Sequence, residues 1–271
     1  MRSRCAVRWT LLALCLSLAV TGLLAQTQTA KKPYEPSSGQ AGKDVVWVPT
    51  SQTLVEKMLD LANVTPRDLV IDLGSGDGRT VIAAAKRGAR AVGIEYNPDM
   101  VELSKQNAET AGVTARASFV QADLFETDFS QATVITMFLL PDINLRLRPK
   151  ILDLRPGTRI VSNSFTMEEW EADETATVEG DCTSWCTALF WIVPAKVDGA
   201  WRASKGTLTI QQQFQRFSGT LGSTPISDGH LRGDAIEFTA GGVHYTGRVN
   251  GNTMKGTVTG GSNGTWSATR Q

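Results

Sequence analysis

The chain is short of the residues that most metal and nucleophile chemistries need. Only two of its 271 residues are histidine, His230 and His244, both late in the sequence. With no His/Cys cluster at ligand spacing, a metal site is not expected. Nor is there a Ser-His-Asp or Cys-His arrangement of the kind that supports covalent catalysis. Of four cysteines, Cys5 and Cys15 fall within the first 26 residues, which leaves Cys182 and Cys186. With three residues between them, these two read equally well as a tight disulfide ring or as reduced thiols. An excess of positive charge is also missing, with 27 basic residues against 27 acidic ones. Without a basic stripe, nucleic acid is not expected as a partner.

Long apolar runs are absent except at the start. Arg2, Arg4 and Arg8 precede an apolar stretch over 9–25 that ends in the small residue Ala25. That order describes a secretory signal peptide over 1–26, which would export the chain to the periplasm or cell envelope. The alternative is an uncleaved helix that anchors the chain, since the run nears the lower limit for spanning a bilayer. Either way, the leader would bring the chain close to a membrane. Cys15 follows Leu14, where a lipoprotein site would want a small residue, so lipidation is not expected. Residues 27–43 are polar with Pro and Gly, and read as a flexible linker.

From residue 44 the pattern alternates. Thr50 or Ser51 is placed to cap a helix with apolar Leu54, Val55, Met58, Leu59 and Leu61. Strands are predicted at 69–73, 91–94, 118–121, 134–138 and 159–162, with helices over about 79–87, 98–111 and up to 154 between them. Strand-helix alternation implies a parallel α/β sheet. Two further strands, about 175–180 and 187–193, have no room for a helix between them and imply an antiparallel hairpin at one edge. The texture changes after Pro194. Residues 198–271 hold 14 glycines and short alternating runs such as Leu208-Thr209-Ile210. Turn signals at Ser227-Asp228-Gly229, Ala240-Gly241-Gly242 and Asn250-Gly251 predict an antiparallel meander or partial barrel. The Gly-bearing phrases Leu231-Arg232-Gly233-Asp234 and Met254-Lys255-Gly256-Thr257 suggest hairpins of similar build.

The most informative stretch is Val70-Ile71-Asp72-Leu73-Gly74-Ser75-Gly76-Asp77-Gly78-Arg79. A buried strand ends in three alternating glycines, which let backbone approach a ligand, and then a helix opens. A dinucleotide fingerprint would place its third glycine where Arg79 stands. Asp72 is poor company for a pyrophosphate and a good partner for an ammonium group. A ligand with an amino-acid head, a ribose and an adenine fits better.

Together with Glu95 and Asp123 at the next two strand ends, this loop resembles class I S-adenosylmethionine-dependent methyltransferases. Val48-Pro49-Thr50 and Phe138-Leu139-Leu140-Pro141 narrow the resemblance to the seven-strand lysine methyltransferases of ATP-synthase c-subunits and the adenine nucleotide translocase, over roughly 44–194. The fold so implied is α/β: a Rossmann-like methyltransferase sheet, parallel with an antiparallel edge hairpin, spanning 44–197 and followed by a small all-β C-terminal domain, 198–271. The resemblance implies S-adenosyl-L-methionine as cofactor, held by Pro49 and Thr50 from above and by Asp72, Gly74, Ser75, Gly76 and Gly78 at the methionine part. Glu95 and Tyr96 would take the ribose, and Asp123 and Leu124 the adenine. Phe138, Leu140 and Pro141 would shape the acceptor channel, although the same residues also read as ordinary core at a strand end. Asp142 and Asn144 read as substrate contacts or as helix-start residues. The acids at 168, 169, 171, 173 and 174 form a patch that would attract a cationic acceptor, or simply a solvated loop. The expected activity is N-methylation of an amine such as a protein lysine. The alternatives are a small-molecule acceptor, or a non-catalytic envelope protein that keeps the fold for binding.

Overall fold

In the computed structural model, residues 34–261 and 263–271 are described; the leader expected over 1–26 and the start of the linker lie outside them. Tyr34–Gln271 forms one compact unit. Seven strands make one sheet: β1 (Leu69–Leu73), β2 (Arg90–Glu95), β3 (Ala117–Gln121), β4 (Val134–Met137), β5 (Arg159–Asn163), β6 (Glu174–Thr177) and β7 (Thr187–Ile192). Their order is β3-β2-β1-β4-β5-β7-β6. The first five run parallel, and β7 is antiparallel to both β5 and β6. The edge hairpin is therefore present, with β7 placed inside β6.

Helices α1 (Gln52–Leu61), α2 (Arg79–Lys86), α3 (Pro98–Thr110) and α4 (Pro141–Leu152) accompany the sheet. Two of the four starts, those of α1 and α3, are capped by side chains. Ser51 Oγ accepts from the Leu54 amide, and Asn97 accepts from Asp99 ahead of Pro98 at the first helical position. Central strands β1 and β4 are buried along almost their whole length, because helices cover both faces. The strand order reverses between β1 and β4. In an open α/β sheet this is where a crevice opens at the carboxyl ends of the strands.

Eight more strands form the C-terminal part: β8 (Gly199–Ala203), β9 (Gly206–Gln213), β10 (Arg216–Leu221), β11 (Thr224–Arg232), β12 (Ala235–Ala240), β13 (Val243–Asn250), β14 (Thr253–Thr259) and β15 (Gly264–Arg270). They close completely, with β15 pairing β8, so the expected meander or partial barrel is a full up-and-down barrel. Its interior is packed with Phe217, Phe238, Tyr245, Trp201 and Trp266. One turn expectation fails, and one Gly-bearing phrase read as part of a hairpin lies inside a strand. Ser227-Asp228-Gly229 lies inside β11 as a bulge, where the register shifts between Ser227 and His230. Met254-Lys255-Gly256-Thr257 lies within β14. Both bend or narrow a strand instead of reversing it, which is the other use of glycine in a barrel.

The barrel is fastened to the sheet by a short turn. Phe214 stacks on Trp170 with centroids 6.0 Å apart and planes at 14°, while Gln215 Nε2 donates to the Glu171 carbonyl at 2.8 Å. Arg216 pairs with Glu171 and Arg232 with Glu174. Four acids of the 168–174 patch are thereby explained in part. Glu169, Glu171 and Glu174 bind arginines, and Asp173 accepts from the Ile192 amide at 2.7 Å.

Candidate active site

A cavity sits over the carboxyl ends of β1, β2, β3 and β4. Asp72 occupies β1, where Thr136 Oγ1 from β4 donates to its Oδ1 at 2.6 Å. Burial pushes the Asp72 carboxyl up to about 7, neighbouring Asp77 and Glu95 add to the rise, and the Thr136 hydrogen bond opposes it. Among the described residues no cation pairs with this buried carboxylate.

The glycine loop follows. Gly76 and Gly78 have φ of +53° and +82°, and a Cβ on Gly78 would lie 2.8 Å from the Phe119 ring. The loop is gripped from α3 by Ser104 Oγ donating to the Gly76 carbonyl at 2.7 Å and by Asn107 donating to the Asp77 carbonyl at 2.9 Å. Glu95, ending β2, accepts from the Gly76 amide at 2.9 Å and from the Asn97 amide at 2.9 Å. Its carboxylate is thus oriented by two backbone donors, with lone pairs remaining for a ligand. Ser75 Oγ is buried and has no hydrogen-bond partner among the described residues.

The cavity has a roof that the sequence did not announce. Residues 34–43, expected to be flexible tether, instead form a turn. The Gly39 amide donates to the Trp47 carbonyl at 2.8 Å, and the Trp47 amide to the Gln40 carbonyl at 2.9 Å. The carbonyl and amide groups of this polar stretch find partners in one another, which is why it needs no apolar pattern. Residues 40–50 line the cavity. Lys43 Nζ reaches Asp123 at 2.7 Å and Asp44 at 3.1 Å, over the Tyr96 ring at 5.2 Å. The Lys43 contact holds the Asp123 carboxyl below the usual carboxylate range. At the other end of the roof, Arg79 chelates Asp77 and donates to the Thr50 carbonyl at 2.8 Å. Asn163 Nδ2 donates to Thr50 Oγ1 at 3.2 Å.

Of the site residues expected from sequence, Pro49, Thr50, Asp72, Gly74, Ser75, Glu95, Tyr96, Asp123, Leu124 and Phe138 line this one cavity. Gly76 and Gly78 lie behind it and shape the loop. Leu140 and Pro141 are not in its wall: Leu140 is the exposed N-cap of α4 and Pro141 its first residue. Met137, Leu139 and Ile143 take that part of the lining. The reason is that β4 ends at Met137 and the chain then turns into α4, which keeps Leu139 buried and leaves Leu140 exposed at the helix cap. Asn144 is buried and donates to the carbonyls of Phe165 and Thr166 at 3.2 and 3.1 Å, bracing a loop and not facing a substrate. Sequence reasoning missed Lys43, Trp47, Asp77 and Arg79; Arg79 stood out only as the glycine that was not there. The Cys182–Cys186 disulfide is formed.

The donor set suits the cofactor implied by the resemblance. Among the described residues, Asp72 has no cation partner, Glu95 retains acceptor capacity, Asp123 is engaged by the Lys43 ammonium, and the Ser75 hydroxyl has no hydrogen-bond partner. An amino-acid head, a ribose diol and an adenine amine would answer these in order.

Residues 72–174 match the family model described as ANTKMT methyltransferase domain. The protein-lysine N-methyltransferase of Saccharolobus islandicus (strain REY15A) is 46% identical over 138 residues, covering 50% of this chain and 86% of that protein. The ATP synthase c-subunit lysine N-methyltransferase of Mus musculus is 39% identical over 140 residues, 51% of this chain. The chain spans only 56% of that mouse protein's length. Among solved structures, an RNA methyltransferase from Salinibacter ruber in complex with S-adenosyl-L-homocysteine is 47% identical, with a TM-score of 0.52, covering 55% of this chain and 96% of that one.

Proposed function

The chain belongs to the S-adenosylmethionine-dependent methyltransferase family that these relatives represent, and from that premise we propose that it methylates the side-chain amine of a protein lysine. The observation that carries the reading is the convergence of Asp72, Glu95 and Asp123, from three adjacent strand ends, on one cavity whose β4 wall is apolar.

When bound, the cofactor supplies an electrophilic methyl group on a sulfonium. Asp72 would hold its ammonium, Glu95 the ribose hydroxyls and Asp123 the adenine amine, while Trp47 and Pro49 of the roof keep water out. Catalysis then rests on positioning, since an in-line displacement asks mainly for alignment. The acceptor amine must arrive unprotonated. Phe138, Leu139, Met137 and Ile143 provide a desolvating wall, which lowers the pKa of an amine.

A lysine acceptor is supported by the names of the relatives and by charge. No lysine or arginine occurs between residues 160 and 195. Although arginines from other elements pair with Glu169, Glu171 and Glu174, the acids Glu168, Glu179 and Asp181 have no ion-pair partner among the described residues. Those free acids favour a cationic acceptor and disfavour nucleic acid, although the Salinibacter ruber relative is called an RNA methyltransferase. We further propose that the chain works outside the cytoplasm, near the membrane; the basic-apolar leader and the disulfide both fit an oxidising compartment.

The test is calorimetry of the full chain with S-adenosylmethionine, followed by incubation with methyl-labelled cofactor and cell-envelope extract. Label recovered as methyl-lysine after acid hydrolysis of protein supports the proposal. Label confined to small molecules points to the alternative acceptor class, and absence of cofactor binding leaves only a non-catalytic binding role.

A further inference from the structure

Trp185 is the only exposed tryptophan among the described residues; Trp170, Trp191, Trp201 and Trp266 are buried. It is 46% exposed. It sits in the loop between β6 and β7, inside the ring closed by Cys182 and Cys186, with a backbone φ of +56°. Its indole lies 6.0 Å from the Phe138 ring at 59°, and Phe138 in turn stacks on Phe165 at 5.8 Å and 20°. Phe138 lines the cavity. Phe165 is fixed from behind, its carbonyl accepting from Ser162 Oγ at 2.7 Å and from Asn144. Phe138, at the cavity wall, is thus the middle ring, in contact with both the exposed Trp185 and Phe165.

A tilted pair of aromatic faces beside acids is suited to a cation, because ring faces are negative and exposed carboxylates add to the field. Glu179 and Asp181, on the same loop as Trp185, have no ion-pair partner among the described residues. Trp185 therefore combines a left-handed backbone position, which is strained for a non-glycine residue, with a half-exposed ring beside Phe138.

We propose that Trp185 is a specificity-determining residue: with Phe138 and Phe165 it forms an aromatic entrance that takes the acceptor's ammonium by cation–π contact, and the disulfide-closed loop holds it there. The inference rests on the amine-acceptor reading above. Methylation leaves an alkylammonium positively charged, so the entrance would hold unmethylated and methylated side chains alike.

The probe is butyltrimethylammonium, a mimic of a trimethylated lysine side chain, titrated by saturation-transfer NMR into the full chain saturated with S-adenosylhomocysteine. Trp185→Leu keeps apolar bulk and removes the aromatic face; it should weaken probe binding by about three- to thirty-fold. Trp185→Phe should stay within about two-fold of wild type. Affinity for S-adenosylhomocysteine, measured by calorimetry, should be unchanged in both, which also reports folding. If leucine unsettles the loop, Trp185→Gln repeats the test. Equal probe affinity in wild type and Trp185→Leu overturns the inference, as does a wild type that binds S-adenosylhomocysteine but not the probe; neither touches the cofactor assignment. A wild type that binds neither overturns both readings together.

Discussion

Lys43 Nζ lies 2.7 Å from Asp123 Oδ2, so the carboxylate proposed to receive the adenine amine is already answered by a cation from the roof. The pair is partly solvated, and such pairs are individually weak. Lys43→Ala should therefore tighten S-adenosylmethionine binding by about two- to five-fold, by removing a competitor for Asp123. Calorimetry decides it. Weaker binding in the variant would mean that Lys43 serves as part of the closed roof.

The raised carboxyl of Asp72 predicts how the cofactor responds to pH. An ammonium needs the ionised form, and the empty site holds Asp72 half-protonated at about pH 7. Affinity should fall by up to about ten-fold per pH unit below 7 and level off above it. Binding near neutrality should also release a proton, seen as a dependence of the calorimetric heat on the buffer's ionisation enthalpy. A flat pH profile would remove the ammonium from Asp72.

The same group sets a stability trend. Its folded value lies above that of an ordinary aspartate, so as pH rises the unfolded chain ionises first and the native state is increasingly penalised, fully so above about 7. Asp72→Asn should bind cofactor poorly yet melt higher than wild type, by a margin that grows from about pH 4 to about pH 8. Melting curves at several pH values test the sign.

Gly78 carries φ of +82° with the Phe119 ring 2.8 Å from where a Cβ would sit. Gly78→Ala should cost about 1–3 kcal/mol of stability, from backbone strain plus overpacking. Chemical denaturation reads the loss directly, and an unchanged midpoint would contradict the geometry.

Phe214 is the barrel's main apolar contact with Trp170. Phe214→Ala should destabilise the protein by about 1–3 kcal/mol, below the value for a fully buried ring because Phe214 is only partly covered. If sheet and barrel fold together, tryptophan fluorescence and far-ultraviolet circular dichroism should shift in one transition. Two separated transitions in wild type would show that the contact does not couple them.

The sheet was legible because its signals are local. The strands carry their own apolar runs, and the first three have an acid at or near their ends, so Asp72, Glu95 and Asp123 could be placed from sequence. Barrel closure was not legible in this way. The pairing of Thr269 with Arg202 joins the ends of the tail, and no neighbouring residue marks it. The roof was hidden for a different reason. Gly39, Gln40 and Trp47 are ordered by backbone hydrogen bonds and by the cavity beneath, in a stretch whose composition alone reads as solvated chain. Leu140 was misplaced because the turn from β4 into α4 follows no strand periodicity; it leaves Leu139 in the wall and Leu140 in solvent at the helix cap.

The roof has one further consequence, for turnover. It belongs to none of the helices or strands, and it is fastened to the sheet side by side chains: Lys43 on Asp123, Arg79 on the Thr50 carbonyl and Asn163 on Thr50. Spent cofactor could therefore leave by peeling this stretch back while every strand stays paired. Product escape would then be timed by the detachment of a ribbon of about a dozen residues, a motion of microseconds to milliseconds and not a domain opening.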